Sequence, residues 1–162
     1  MIRGLSEKRR IPRLGKVRLG VMGQEPGKKA YPKATSYLVC PPEIEKVFGE
    51  KPTRLDIMLP SDDPAVVLPQ ELKMYRASGL YCAGNRETAR RWDERGDLKE
   101  IACPCAYLDS GECGPVATLN FFVPDCVGVG IYQITTGNQR SIVSLNTSLE
   151  TFSRMFGGLM GI

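Results

Sequence analysis

The chain has 162 residues, a formal net charge of +4, six cysteines and no histidine. That length supports a domain with its own hydrophobic core, so folding does not require disulfides. The missing histidine excludes Ser-His-Asp and Cys-His catalysis, the H-E-x-x-H proteases and the histidine-bearing deaminases, and no stretch reaches the roughly 18 apolar residues of a membrane span.

The charge is unevenly spread. Residues 1–33 carry ten Lys/Arg against Glu7 and Glu25, leaving the remainder mildly acidic. Residues 1–15 are read as a basic arm, with Arg9, Arg10 and Arg13 as candidate contacts to nucleic acid or an acidic partner. A solvated lead-in segment is the alternative. The N-terminus lacks an apolar leader, which points to a reducing cytosol, where clustered cysteines are metal ligands or redox groups before they are structural disulfides.

Residues 16–22, K-V-R-L-G-V-M, set Val17, Leu19 and Val21 two apart and predict a half-buried strand. Pro26-Gly27 marks a turn within 24–29. A second strand is expected over 35–40, ended by Pro41-Pro42. Pro42, Glu43 and Glu45 then open a short helix running through Phe48, with acidic groups at the positive end of its dipole. In 53–60, Leu55, Ile57 and Leu59 share one face and predict a third strand, broken by Asp62-Asp63-Pro64. Val66, Val67 and Leu68 read as a short extended piece, and 72–75 fits strand or helix. Residues 86–95 read as a helix. Residues 115–124 and 127–135 return to β, a hairpin about Pro124-Asp125. From Gln139 the period becomes 3.6: Ile142, Leu145, Leu149, Phe152 and Phe156 line one helix face, and Gly157-Gly158 stops the helix. The sum is one α+β domain over 1–162. It has a mainly antiparallel β-sheet, a C-terminal helix packed on it, and a Cys-rich zinc-binding insertion at 79–114.

No active site emerges. Asp62-Asp63 and Glu43/Glu45 are paired carboxylates beside prolines, which suits turn and helix-start roles. Val127-Gly128-Val129-Gly130 lacks the spacing of a dinucleotide loop, and no phosphate-binding P-loop is present.

Cys82, Cys103, Cys105 and Cys113 lie in the most polar part of the chain, where the apolar residues cannot build a core unaided. Zinc prefers four thiolate or imidazole ligands in a tetrahedron. With no histidine, these four cysteines are the ready closed set, flanked by the turn-forming Gly84-Asn85 and Asp109-Ser110-Gly111. Two alternatives stand beside it: small buried hydrophobes, the reading given to Cys40 and Cys126, and a redox dithiol at Cys103/Cys105. Arg90, Arg91 and Trp92 are further candidate contacts to a partner or nucleic acid, Trp92, the one tryptophan, serving as an exposed anchor or packing against the metal site.

Five blocks also occur in order along nearly the whole chain: I-R-G-L-S-E-K-R-R-I-P-R-L-G-K-V-R-L-G; Y-P-K-A-T-S-Y-L-V-C-P-P-E; F-G-E-K-P-T-R-L-D-I-M-L-P; G-L-Y-C-A-G; and C-G-P-V-A-T-L-N-F-F-V-P-D with G-I-Y-Q-I-T-T-G-N-Q-R-S-I-V-S-L-N. Together they resemble the phage recombination directionality factor-like family. The resemblance implies a non-enzymatic accessory protein, acting in the cytoplasm of a bacterial host. It would bind a large serine integrase and switch it from integration to excision, reaching DNA only through that complex, with no membrane and no small-molecule substrate. It also implies cysteines at the positions of Cys82, Cys103, Cys105 and Cys113. The family commonly has more residues between the two central cysteines than Pro104 alone. Its members tend to continue past the helix expected to end at Phe156, so the resemblance implies a short member or a fragment. The rival from another class is a zinc-stabilised, sequence-tolerant DNA-binding module using the basic arm with Tyr31 and Tyr37 as stacking groups. A hydrolase would need a carboxylate-metal site that these residues do not assemble.

Overall fold

The computed structural model describes residues 11–27, 30–93 and 95–161. Arg9 and Arg10, with most of the basic arm, lie outside the described residues. The elements are β1 (Arg13–Gly23), β2 (Tyr31–Val39), α1 (Pro42–Phe48), α2 (Pro64–Val67), β3 (Gln70–Arg76) and β4 (Gly79–Gly84). They continue with β5 (Thr88–Trp92), β6 (Leu98–Ala102), α3 (Ala106–Asp109), β7 (Gly114–Phe121), β8 (Ile131–Thr136) and α4 (Gln139–Phe156). The strands form an eight-stranded sheet in the order β2-β1-β8-β7-β3-β4-β5-β6. Pairing is mainly antiparallel, with β1 and β8 parallel. The expected sheet and C-terminal helix are present. The chain divides into two compact units: residues through Asp62 with Asn120–Ile134 and those from Met160, and Asp63–Leu119 with Thr135–Leu159.

In the first unit Val17, Ile44, Phe121, Val123 and Tyr132 are buried. The Tyr132 ring lies 6.3 Å from that of Phe121, and its hydroxyl donates to Glu43 Oε1 at 3.4 Å. Gly15 lets Pro41 pack close against β1, because a Cβ there would come 2.6 Å from Pro41 Cγ. Helix α1 follows the sequence expectation, with Pro41 before it and Pro42 inside its first turn. The strand expected over 53–60 does not form. Leu59 is buried and Leu55 and Ile57 half-buried, as the alternation required, but among the described residues the segment's ladder contact is the single bridge Met58–Phe122. The alternation marked which side faces the core; pairing along the segment did not follow from it. The strand expected from Val127 begins only at Ile131, since Val127 and Val129 stand 101% and 90% exposed. Cys40 and Cys126 are buried as expected, and the Cys126 thiol donates to the Glu43 carbonyl.

In the second unit β3–β6 form an antiparallel meander that β3 joins to β7. The expected helix over 86–95 is replaced by β5 and its flanking turns. Asn85 Oδ1 accepts from the backbone N–H of Glu87 and Thr88, both at 2.9 Å, and Arg86 takes φ 83°, so the chain reverses. Asp93 Oδ1 accepts from Arg95 and Asp97 N–H to make the next turn. These side chain to backbone bonds compete directly with a helix ladder. The extended piece expected at Val66–Leu68 is instead helical in its first part: Asp63 caps α2 by accepting from Ala65 N–H at 2.8 Å, ahead of Pro64. The ambiguous 72–75 lies in β3. Helix α4 is capped by Asn138 and packs by Ile142 and Leu149; the Gln70 and Asn146 side-chain amides exchange two hydrogen bonds, tying α4 to β3. The expected Cys-rich segment thus appears as β4–β6 and α3, and no zinc-binding insertion is shown.

Candidate functional site

The cysteine segment lies wholly in the second unit. Strand pairing sets Met74 opposite Cys82, Cys82 opposite Arg91, and Ala89 opposite Ile101. Cross-strand partners share a face, so Met74, Cys82, Ala89 and Arg91 stand together on one side of the meander. Met74, Cys82 and Ala89 are buried, and Cys103, Cys113, Tyr81, Ile101 and Tyr107 pack against them. Backbone bonds fix the rest: Cys103 N–H donates to the Glu87 carbonyl at 2.9 Å, Cys105 precedes α3, and Cys113 N–H donates to the Tyr107 carbonyl at 2.9 Å. The Cys103–Pro104 bond is cis.

Arg91 completes the cluster. Its Nη2 donates to Cys105 Sγ at 3.3 Å, and its guanidinium carbon stands 5.1 Å from the Tyr107 ring centroid and 5.7 Å from that of Tyr81. Those two rings meet edge to face at 6.5 Å, and Arg76 lies 3.5 Å over Tyr81. Burial alone would lower the Arg91 pKa, but hydrogen bonding to Cys82 and Cys105, and their charge, outweigh it and push it up. The Cys113 thiol is pushed up, by burial first and then by the charges of Cys82, Cys103 and Cys105, with Arg91 opposing. Arg91 Nε is buried and makes no hydrogen bond.

The structure therefore gathers all four expected cysteines around one small cluster. It does not set them as a ligand shell: among the described residues no group of three or more His, Cys, Asp or Glu side chains is arranged to hold a metal ion, and all six cysteines are free thiols. Four thiol sulfurs are a donor set of the kind zinc takes, although among the described residues they are not arranged as its shell.

The expected contact residues are scattered. Arg13 opens β1, exposed, with Nη1 3.4 Å from Gln133 Oε1. Arg90 points to the face opposite Arg91 and pairs with Glu71 at 3.0 Å, Glu71 also holding Lys73 at 3.1 Å. Trp92 is half-buried at the end of β5, opposite Leu98. Sequence reasoning missed the inward role of Arg91 and the tyrosines that flank it. The signal was available in T-A-R-R-W: read with a period of two, it puts Ala89 and Arg91 on one face and Arg90 on the other.

A family model described as Gp3-like, recombination directionality factor-like, matches residues 14–162. The chain belongs to this family. The match extends over most of the first compact unit and all of the second in this recombination directionality factor-like chain, and includes all four cysteines of the cluster. Comparison with curated proteins and with solved structures returns no match.

Proposed function

We propose that this protein binds a large serine integrase and shifts it from integration towards excision of a phage or mobile element, in the cytoplasm of a bacterial host. The family match over residues 14–162 carries the reading. An integrase already holds the catalytic serine and the DNA specificity, so the factor has only to bind one synaptic arrangement better than another. Moving an equilibrium from 1:99 to 99:1 takes about 5.5 kcal/mol of differential binding, which a protein interface supplies without chemistry of its own. The factor is accordingly no enzyme, takes no small-molecule substrate and meets DNA through the integrase complex. None of its described helices is long and apolar enough to cross a membrane.

In this proposal one zinc ion, held by Cys82, Cys103, Cys105 and Cys113, stabilises the meander. Four thiolates around a divalent ion leave net negative charge, and Arg91, already donating to Cys105, is placed to offset it. The metal's part is structural.

The test is recombination in vitro by the purified integrase of the same element. Added factor raises product from the hybrid attachment sites and suppresses integration between the original pair. Unchanged yields in both directions would overturn the reading. The DNA-binding alternative draws on the exposed cations Lys16, Arg18 and Lys33 of β1 and β2. It requires the protein alone to bind duplex DNA with a steep salt dependence, whereas a factor acting through the integrase binds free DNA poorly.

A further inference from the structure

Strand alternation divides β1 into an apolar face bearing Val17, Leu19 and Val21 and an opposite face bearing Lys16, Arg18 and Met22. A half-buried strand should cover that apolar face, yet Val17 is 1% exposed while Leu19 is 52% and Val21 39% exposed. The cause is topological. Among the described residues β1 pairs with β8 as far as Val17 and, from Arg18 onward, with β2 only, the register shifting between Arg18 and Gly20. On β2, Lys33 stands opposite Val21 and Tyr31 opposite Gly23, so both share the apolar face. The Tyr31 ring lies over Gly23, where an added Cβ would come 3.1 Å from it. The result is a two-stranded ribbon with an apolar stripe, Leu19, Val21 and Tyr31, running outward from the buried Val17.

Its charge is one-sided. Lys33 borders the stripe, Lys16 and Arg18 back it, and among the described residues none of the three forms an ion pair. Glu25, at the ribbon's tip, accepts from the Tyr31 hydroxyl at 3.2 Å.

We infer that this ribbon is the docking surface for the partner protein, and that the partner's matching surface is apolar and bordered by carboxylates. The inference rests on the integrase-binding reading above. A phosphate backbone would satisfy the cations but leave Leu19 and Val21 in water. The ribbon of a second copy would set cations against cations. An acidic-rimmed apolar protein surface answers both features: burial supplies affinity, Lys33 on the apolar face orients, and Lys16 and Arg18 behind it add to the long-range steering.

The test uses the full chain and the purified large serine integrase of the same element, with affinity read by interferometry. Leu19→Ser with Val21→Ser weakens binding at least about thirtyfold, the size of a lost hot spot. Lys33→Glu weakens it and flattens its salt dependence, while Val127→Ser, more exposed than either stripe residue but off the ribbon, leaves Kd within about twofold. A photo-crosslinking benzoylphenylalanine at position 19 of the otherwise unaltered chain forms an adduct with the integrase, a readout that does not depend on a variant's stability. Wild-type binding that the ribbon variants leave unchanged, with no adduct, overturns the ribbon and keeps the integrase reading. No binding by the wild-type chain overturns both. Dimerisation, or binding to duplex DNA, that the ribbon variants abolish assigns the surface to a second copy or to nucleic acid and also overturns the inference.

Discussion

Burial sets the chemistry of single residues here more than sequence neighbours do. Cys40 lies beside an apolar strand end, and burial, then the charges of Glu45 and Cys126, push its thiol from 9.0 up to about 11. Tyr132 moves likewise, from 10.0 up to about 12, through burial and then the charges of Glu43 and Cys126 and a hydrogen bond to Glu43. Between pH 9 and 11 the unfolded chain has lost the Cys40 proton while the folded chain keeps it. The stability tied to that proton is complete below 9 and is lost as pH rises through 11. Denaturant unfolding from pH 8 to 11 therefore shows falling stability, with a shallower fall in Cys40→Ala; parallel curves for the two proteins would refute this. The buried state of Cys40 was legible from its apolar setting. The inward turn of Arg91 is legible only once 88–92 is read as a strand, because the same charged run taken as a helix carries no mark of which residue meets sulfur.

Elements were legible where one local signal sufficed. Helix α1 has prolines at its start, and α4 combines the 3.6 period with Asn138, whose Oδ1 accepts from Ser141 N–H at 3.1 Å, and Gly157 at φ 77°. Asn138→Ala is expected to cost about 1 kcal/mol, measured by denaturant unfolding, because it strips the cap and leaves the helix interior untouched. Elements were illegible where tertiary partners decided. Residues 53–60 have a strand's alternation without a strand's neighbour, and β5 looked helical until the Asn85 and Asp93 turns defined its ends. The four cysteines were visible as a segment; the face they share depends on the register of β4 and β5, which alternation alone does not supply.

At the scale of the whole molecule, the second unit's small cysteine cluster raises the question of what stabilises the meander. Its buried members are Met74, Cys82 and Ala89, of which only Met74 has a large apolar side chain. If zinc closes on the four thiols, protein purified without chelator carries one metal per chain, and EDTA lowers its melting temperature. Metal-free protein with all its thiols titratable and an EDTA-insensitive melt removes zinc from the proposal without touching the integrase reading. The sheet's pairing also fixes an order of events during synthesis. β3–β6 are neighbours in sequence and can form as they emerge, whereas Arg13 meets its parallel partner only when Ile131 has been made. At typical ribosomal rates that interval is on the order of ten seconds. For that time β1 has, among the described strands, only its sequence neighbour β2 to pair with, so the ribbon can form early while the parallel edge towards β8 closes late.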